Sequence, residues 1–237
     1  MPHHHKKHHK PWEKESFEEE AYHFYVSQGY DQTNFMQRWP AFINKFETAY
    51  TFYHDHGYNH DTTLAHLGGI DFEKDVVLDV IPKGQKQTQI QVAWGRKGNY
   101  FSTSDYGPED IGIASVGRKF IQRHVAPSPE DLKEFPPLPT KPSNTPVPIF
   151  EKRVVTYEAT EDIPCLKSTA KAIIDTWSTP DPIPIKGGGI QLFVGNKELM
   201  AHYEYGAHDK YTADFKARLQ ATKTSEPDPQ PAPRILG

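Results

Sequence analysis

Between Pro127 and Pro148 prolines recur every few residues. Each removes a backbone donor and fixes φ, so neither a long helix nor a central strand can run there. The fold must therefore be built on either side of this excursion. With 21 prolines in 237 residues and a mean hydropathy of -0.73, much of the length falls outside any core. The 36% hydrophobic and 12% aromatic residues suffice for one packed domain carrying a polar head, an insertion at 127–148 and a polar tail.

The same composition excludes several classes. No apolar run approaches the roughly 20 residues that cross a bilayer, so no membrane span is expected. Met1-Pro2-His3-His4-His5-Lys6-Lys7 is basic, but no apolar stretch follows it, which argues against a cleaved secretory signal. The protein is expected to stay in a cytosol or to leave by a route without such a signal. A net charge of -4 argues against nucleic acid as a partner. Cys165 is the single cysteine, so neither an internal disulfide nor a cysteine-based zinc site can form.

Residues 1–14 read as a disordered His/Lys-rich tail, with weak metal or polyanion capture as the sharper alternative. Residues 15–68 read as a helical, aromatic-rich subdomain. Phe17, Ala21, Phe24 and Tyr25 recur at helical steps over 15–28. A second helix starts near Thr33, and Pro40 is expected to kink or split it. A short third helix, capped by Asp61 or Thr62, ends at Gly68-Gly69. From residue 70 the pattern changes to strands at 76–81, 88–94, 99–103, 153–157 and 190–194. Residues 162–177 read as a helix, because Ile163, Leu166, Ala170, Ile173, Ile174 and Trp177 share a 3.6-residue period. A further helix is expected at 211–220, with disorder from Ser225. The expected fold is α+β: a small, strongly bent, antiparallel-rich sheet in 69–206 with one packed helix, preceded by the helical subdomain, and a polar tail at 207–237.

Two short segments carry chemistry. Gly187-Gly188-Gly189-Ile190-Gln191 spends backbone entropy on three glycines. It reads either as a flexible turn into a strand or as a backbone that approaches a ligand, with bare N–H groups facing phosphate. Gly98-Asn99-Tyr100-Phe101-Ser102-Thr103-Ser104 places adjacent aromatics on a strand, one ring inward and one outward. An outward ring beside hydroxyls suits a nucleobase or nicotinamide, and ordinary strand packing explains it equally well. The group His54, His56, His60 and His66 has metal-like intervals but no fixed helical register, so these read as polar loop histidines and no metal site is expected. Cys165 reads as a buried small hydrophobe.

Taken in order, three segments resemble the bacterial polymorphic toxin type 46 domain. They are Val76-Val77 to Gly84 running into Gln89-Ile90-Gln91-Val92; Gly98-Asn99-Tyr100-Phe101; and Leu166 to Ser178 ending in Gly187-Gly188-Gly189-Ile190-Gln191-Leu192-Phe193. More distantly the chain is similar to the NAD-glycohydrolase domain of the tuberculosis necrotizing toxin family, which also has a glycine-rich G-G-G-x-Q strand entry. The similarity spans about 70–194. Two departures stand out: Ser102-Thr103-Ser104 replaces the families' small Pro/Gly turn, and the proline-rich excursion is longer.

The resemblance implies a toxin or effector domain that cleaves NAD to nicotinamide and ADP-ribose. NAD is then a substrate, and no tightly bound cofactor is expected. Gln191 and Arg118 are the catalytic candidates, Arg118 as the phosphate ligand. Asn99, Tyr100, Ser102, Trp177, Gly187, Gly188 and Gly189 are the candidates for lining the NAD site. A cognate immunity protein is the implied macromolecular partner, and action in a cytosol after delivery is the implied location. Gln191→Ala is expected to abolish turnover with little effect on folding. Two rivals remain. One is mono-ADP-ribosyl transfer, for which Ser102-Thr103-Ser104 matches a strand signature but the required Glu/Gln-x-Glu is missing at Gln191-Leu192-Phe193. The other is a non-enzymatic binding module with weakly metal-binding histidines.

Overall fold

The computed structural model describes residues 14–92, 97–114, 116–118, 129–134, 137, 149–176 and 182–203. The expected tail helix at 211–220, the disorder from Ser225, the N-terminal tail and most of the proline-rich stretch lie outside these. Of that stretch the structure describes one short helix, α4 (Pro129–Glu134).

The chain opens with three helices, α1 (Lys14–Ser27), α2 (Phe35–Asp55) and α3 (His60–Leu67). Pro40 does not split α2, which runs as one element of 21 residues. The proline lies in the second turn, and the 13 residues before His54 carry the buried face Phe42, Phe46, Ala49, Tyr50 and Tyr53, whose packing outweighs one lost backbone bond. Asn59, not Asp61 or Thr62, caps α3: its side chain accepts from the Thr62 N–H at 2.9 Å.

The rest is antiparallel sheet, so the molecule is mixed α+β with helices first. Strands β1 (Val77–Ile81), β2 (Lys86–Val92), β3 (Tyr100–Phe101), β4 (Val116–Arg118), β5 (Ile149–Ala159), β6 (Ile163–Thr169), β7 (Ile173–Asp175), β8 (Ile183–Ile185), β9 (Ile190–Val194) and β10 (Met200–His202) follow in chain order. One sheet has the order β1-β6-β9-β3 and a second the order β10-β5-β2, with β4 also on β5 and β7-β8 a separate hairpin. A bridge between Thr88 and Ser102 joins the two sheets through β2 and β3, with Thr88 N–H donating to Ser102 O at 2.6 Å and Ser102 N–H to Thr88 O at 2.8 Å.

The helix expected at 162–177 is instead β6 and β7. β6 lies between β1 and β9 and is buried on both faces. Leu166 packs toward the helices, while Ile163 and Cys165 pack into the opposite core with Phe101, Val155, Leu192 and Val194. A strand buried on both sides loses its two-residue alternation, and its apolar residues can then fall on a helical period by coincidence.

Two cores result. The larger joins Phe24, Tyr25, Phe42, Phe46, Tyr50 and Tyr53 of the helices to Leu166 and Phe193 of the sheet. The second lies on the other face of the first sheet and joins Phe101, Ile163, Cys165, Leu192 and Val194 to Val155, Tyr157 and Met200 of the second sheet. The helices thus cover the outer face of the first sheet, and the polar ends of that face set the site.

Candidate functional site

Alternation along β9 puts Gln191 and Phe193 on the helix-facing side and Ile190, Leu192 and Val194 on the other. Tyr100 pairs with Phe193, so Tyr100 and Ser102 share the face of Gln191. Across β6, Ser168 pairs with Gln191. The strand register therefore gathers Gln191, Ser168, Ser102 and Tyr100 under the end of α3.

Gln191 is buried, and its Nε2 donates to Gly69 O and to Ser168 Oγ, each at 3.2 Å. Its burial and these two bonds differ from what is expected of a strand glutamine whose loss has little effect on folding. Ser102 is buried and its hydroxyl donates to Ile190 O at 2.6 Å. Tyr100 is not the outward ring expected for it. Its phenol lies under the helices, 2.8 Å from both Tyr53 Oη and His66 Nδ1, and burial raises its pKa well above the usual phenol value. Phe101 points into the opposite core, while Tyr100 is half-buried against the helix-side core.

Asn99 is held at the far end of β9. Its Nδ2 donates to Val194 O at 2.7 Å and Gly195 O at 3.2 Å, which makes it a tie between strands. Arg118 lies on β4, opposite Ile149, and its side chain is outside the description. Trp177 falls outside the described residues.

The glycine run is a second correction. Its N–H groups are not bare. Gly187 donates to Glu109 O at 2.8 Å, Gly188 to Ala170 O at 2.8 Å and Gly189 to Asp110 O at 2.7 Å. A Cβ at Gly187 would stand 2.6 Å from the Lys171–Ala172 backbone, and one at Gly189 2.8 Å from Asp110 O. The glycines let three backbone segments meet, and the close approach is of chain to chain rather than chain to phosphate. The turn Glu109–Ile111, which receives the bonds from Gly187 and Gly189, brings a buried acid, Glu109, beside the entry to β9.

Sequence reasoning missed Ser168, His66, Tyr53 and Glu109. The β6 register that aligns Ser168 with Gln191 was hidden by the helical period of 162–177. His66 could have been found from its place three residues before Gly69, whose carbonyl holds Gln191. Three of the four histidines are helical rather than in loops: His54 is in the last turn of α2, and His60 and His66 are on α3, while His56 lies in the turn that follows α2. They take separate partners. His56 Nδ1 lies 2.6 Å from Phe52 O, His60 pairs with Tyr50 and Glu20, and His66 meets Tyr100. Among the described residues no three His, Cys, Asp or Glu side chains gather as a metal-holding group. Among the same residues no helix is long and apolar enough to cross a membrane.

Residues 24–134 match the family described as Bacterial toxin 46. Over that span the chain is similar to a bacterial toxin domain. The match begins inside α1 and ends with α4, so it takes in helices that the sequence resemblance at 70–194 left out. It includes Asn99, Tyr100, Ser102 and Arg118, while Trp177, Gly187–Gly189 and Gln191 lie beyond it. The chain is also 26% identical over 153 residues to the NAD(P)(+) glycohydrolase toxin Tse6 of Pseudomonas aeruginosa, an alignment covering 64% of this chain and 30% of that protein. The chain thus spans about a third of the length of this relative. Its fold resembles the structure of Tse6 in complex with Tsi6, with a TM-score of 0.50 and 20% identity over 70% of this chain and 98% of that one. A looser match is Rhs1-CT in complex with cognate immunity protein RhsI1, with a TM-score of 0.35 and 10% identity over 62% and 94% of the two chains.

Proposed function

We propose that the chain is a toxin domain that hydrolyses NAD to nicotinamide and ADP-ribose, with Gln191 as its principal polar catalytic residue. The observation that carries the reading is the placement of Gln191 beside Ser168, Ser102 and Tyr100 on one face of the sheet, in a chain distantly similar to an NAD(P)(+) glycohydrolase toxin.

The chemistry needs little from the protein. The bond between ribose C1′ and the pyridinium nitrogen breaks with its electron pair going to nitrogen, so nicotinamide leaves neutral. Water attacks C1′ and releases its proton to solvent. The protein has to hold the ribose and the water in line and favour the oxocarbenium-like transition state. Both described bonds of Gln191 use Nε2. Its Oε1 therefore serves as the acceptor for a ribose hydroxyl or the attacking water, held in place by the two bonds behind it. Ser102 fixes the start of β9 through Ile190 O. Gly187–Gly189 shape the turn over the site, and Asn99 acts through the other end of β9 rather than on NAD. Tyr100 forms the wall toward the helices, Trp177 a further wall, and Arg118 the pyrophosphate ligand. The macromolecular partner is a cognate immunity protein. The site of action is the cytosol of a recipient cell after delivery.

The test is incubation of the purified protein with NAD, followed by chromatography for nicotinamide and ADP-ribose in equal amounts. Nicotinamide released without free ADP-ribose, with the label found on protein, would instead identify a transferase.

A further inference from the structure

Tyr53, Tyr100 and His66 form a chain of titratable groups between the helices and the sheet. Tyr53 Oη lies 2.8 Å from Tyr100 Oη, and Tyr100 Oη lies 2.8 Å from His66 Nδ1. Tyr53 is 0% exposed, and its ring stacks on the His66 imidazole at 5.2 Å and 7°. That imidazole also meets Tyr58, from the turn after α2, edge-on at 5.0 Å, the Tyr100 ring at 5.6 Å, and the apolar ring of Phe193 on β9.

The direction of the protons follows from burial. A phenol deep in a core has one proton to donate and loses stability if no acceptor meets it. Among the described residues the only polar partner of Tyr53 Oη is Tyr100 Oη, so Tyr53 donates to Tyr100. Tyr100 then turns its own proton to His66 Nδ1, which has to be an unprotonated acceptor. A neutral imidazole with a bare Nδ1 carries its proton on Nε2. The opposite order, from Nδ1–H to Tyr100 to Tyr53, strands the Tyr53 proton in the core. Burial also raises both phenol pKa values, which keeps them as donors.

This chain ends beside Gln191. His66 O accepts the Gly69 N–H at 3.1 Å, and Gly69 O accepts from Gln191 Nε2. Tyr100 packs on Phe193, two residues from Gln191 on the same face. We propose that Tyr53 and Tyr100 are positioning residues that lock His66 in its neutral Nε2–H tautomer on the helix-side wall of the Gln191 site. The placement as an NAD wall rests on the function proposed above; the tautomer lock does not.

The test is nitrogen-detected NMR of the histidine rings in the full chain, with carba-NAD, whose ribose replacement cannot be cleaved, as the probe. The wild type should show His66 with a bare Nδ1 and a protonated Nε2. Tyr53→Phe keeps the ring and removes the first donor, and should yield a mixture of both tautomers. A protonated Nδ1 in the wild type, or a pure Nε2–H tautomer retained in Tyr53→Phe, overturns the lock. Carba-NAD should shift the His66 ring signals together with the Gln191 side-chain amide. A Gln191 shift with His66 unmoved overturns the placement of His66 and leaves the NAD reading standing. If neither signal moves, the NAD reading fails, and the tautomer result alone decides the lock.

Discussion

Gln191 has to satisfy two demands at once. Its amide holds Gly69 O and Ser168 Oγ, and in the proposed reaction its oxygen holds a reacting group. Gln191→Ala should lower NAD turnover by about 10²–10³-fold. It should also destabilise the fold by about 1–3 kcal/mol, because a half-buried carbonyl and a buried hydroxyl lose their donor. Chemical denaturation run beside the assay separates the two, since Ser168→Ala should share part of the stability loss and keep most of the turnover. The glycine run gives a sharper contrast. Gly187 has φ +67° and no room for a Cβ, whereas Gly188, at φ +91°, has nothing within 4 Å. Gly187→Ala should therefore unfold or fail to express, while Gly188→Ala should cost only the strain of its backbone conformation, about 1–2 kcal/mol. Equal melting temperatures for the two variants would refute this account of the turn. Cys165 is almost fully buried, and burial pushes its thiol pKa up to about 11. It should resist thiol reagents at pH 8 in the native protein and react at once in denaturant.

At the scale of elements, α3 carries His66 and leads to Gly69, and its start depends on Asn59. Asn59→Ala should lower stability by about 1 kcal/mol, read from the denaturation midpoint, by leaving a first-turn N–H without its cap. α1 and α2 were legible in the sequence from their 3.6-residue period, β2 from its alternation of polar and apolar residues, and β9 as a short apolar run entered through Gly187-Gly188-Gly189, although both strands are buried on both faces. The side on which Gln191 would fall, with Phe193, Tyr100 and Ser102, was legible from the alternation of side chains along a strand. β6 was not, because its apolar residues together with Ala170, Ile173 and Ile174 fall on a helical period. With β6 mistaken for helix, Ser168 could not be paired with Gln191. The glycine run was recognised as a close approach, but sequence alone does not say what approaches, and Glu109, Asp110 and Ala170 come from segments distant in the chain.

Across the whole molecule, the helices and the sheet share one core. Leu166 and Phe193 pack against Tyr53, Phe46 and their neighbours, and Lys171 reaches back to Gln28 O at 3.0 Å. A fragment beginning at residue 69 would expose that face, and it should lose cooperative unfolding and NAD turnover together. The toxin-family match starting at residue 24 crosses the same junction. The central claim is that this joined body hydrolyses NAD at the Gln191 site. Its most direct test is a time course of purified wild type and Gln191→Ala with NAD, following nicotinamide and ADP-ribose. The account predicts equimolar products from the wild type and about 10²–10³-fold less from the folded variant. Unchanged NAD in the wild-type reaction, or equal rates for the two proteins, would contradict it.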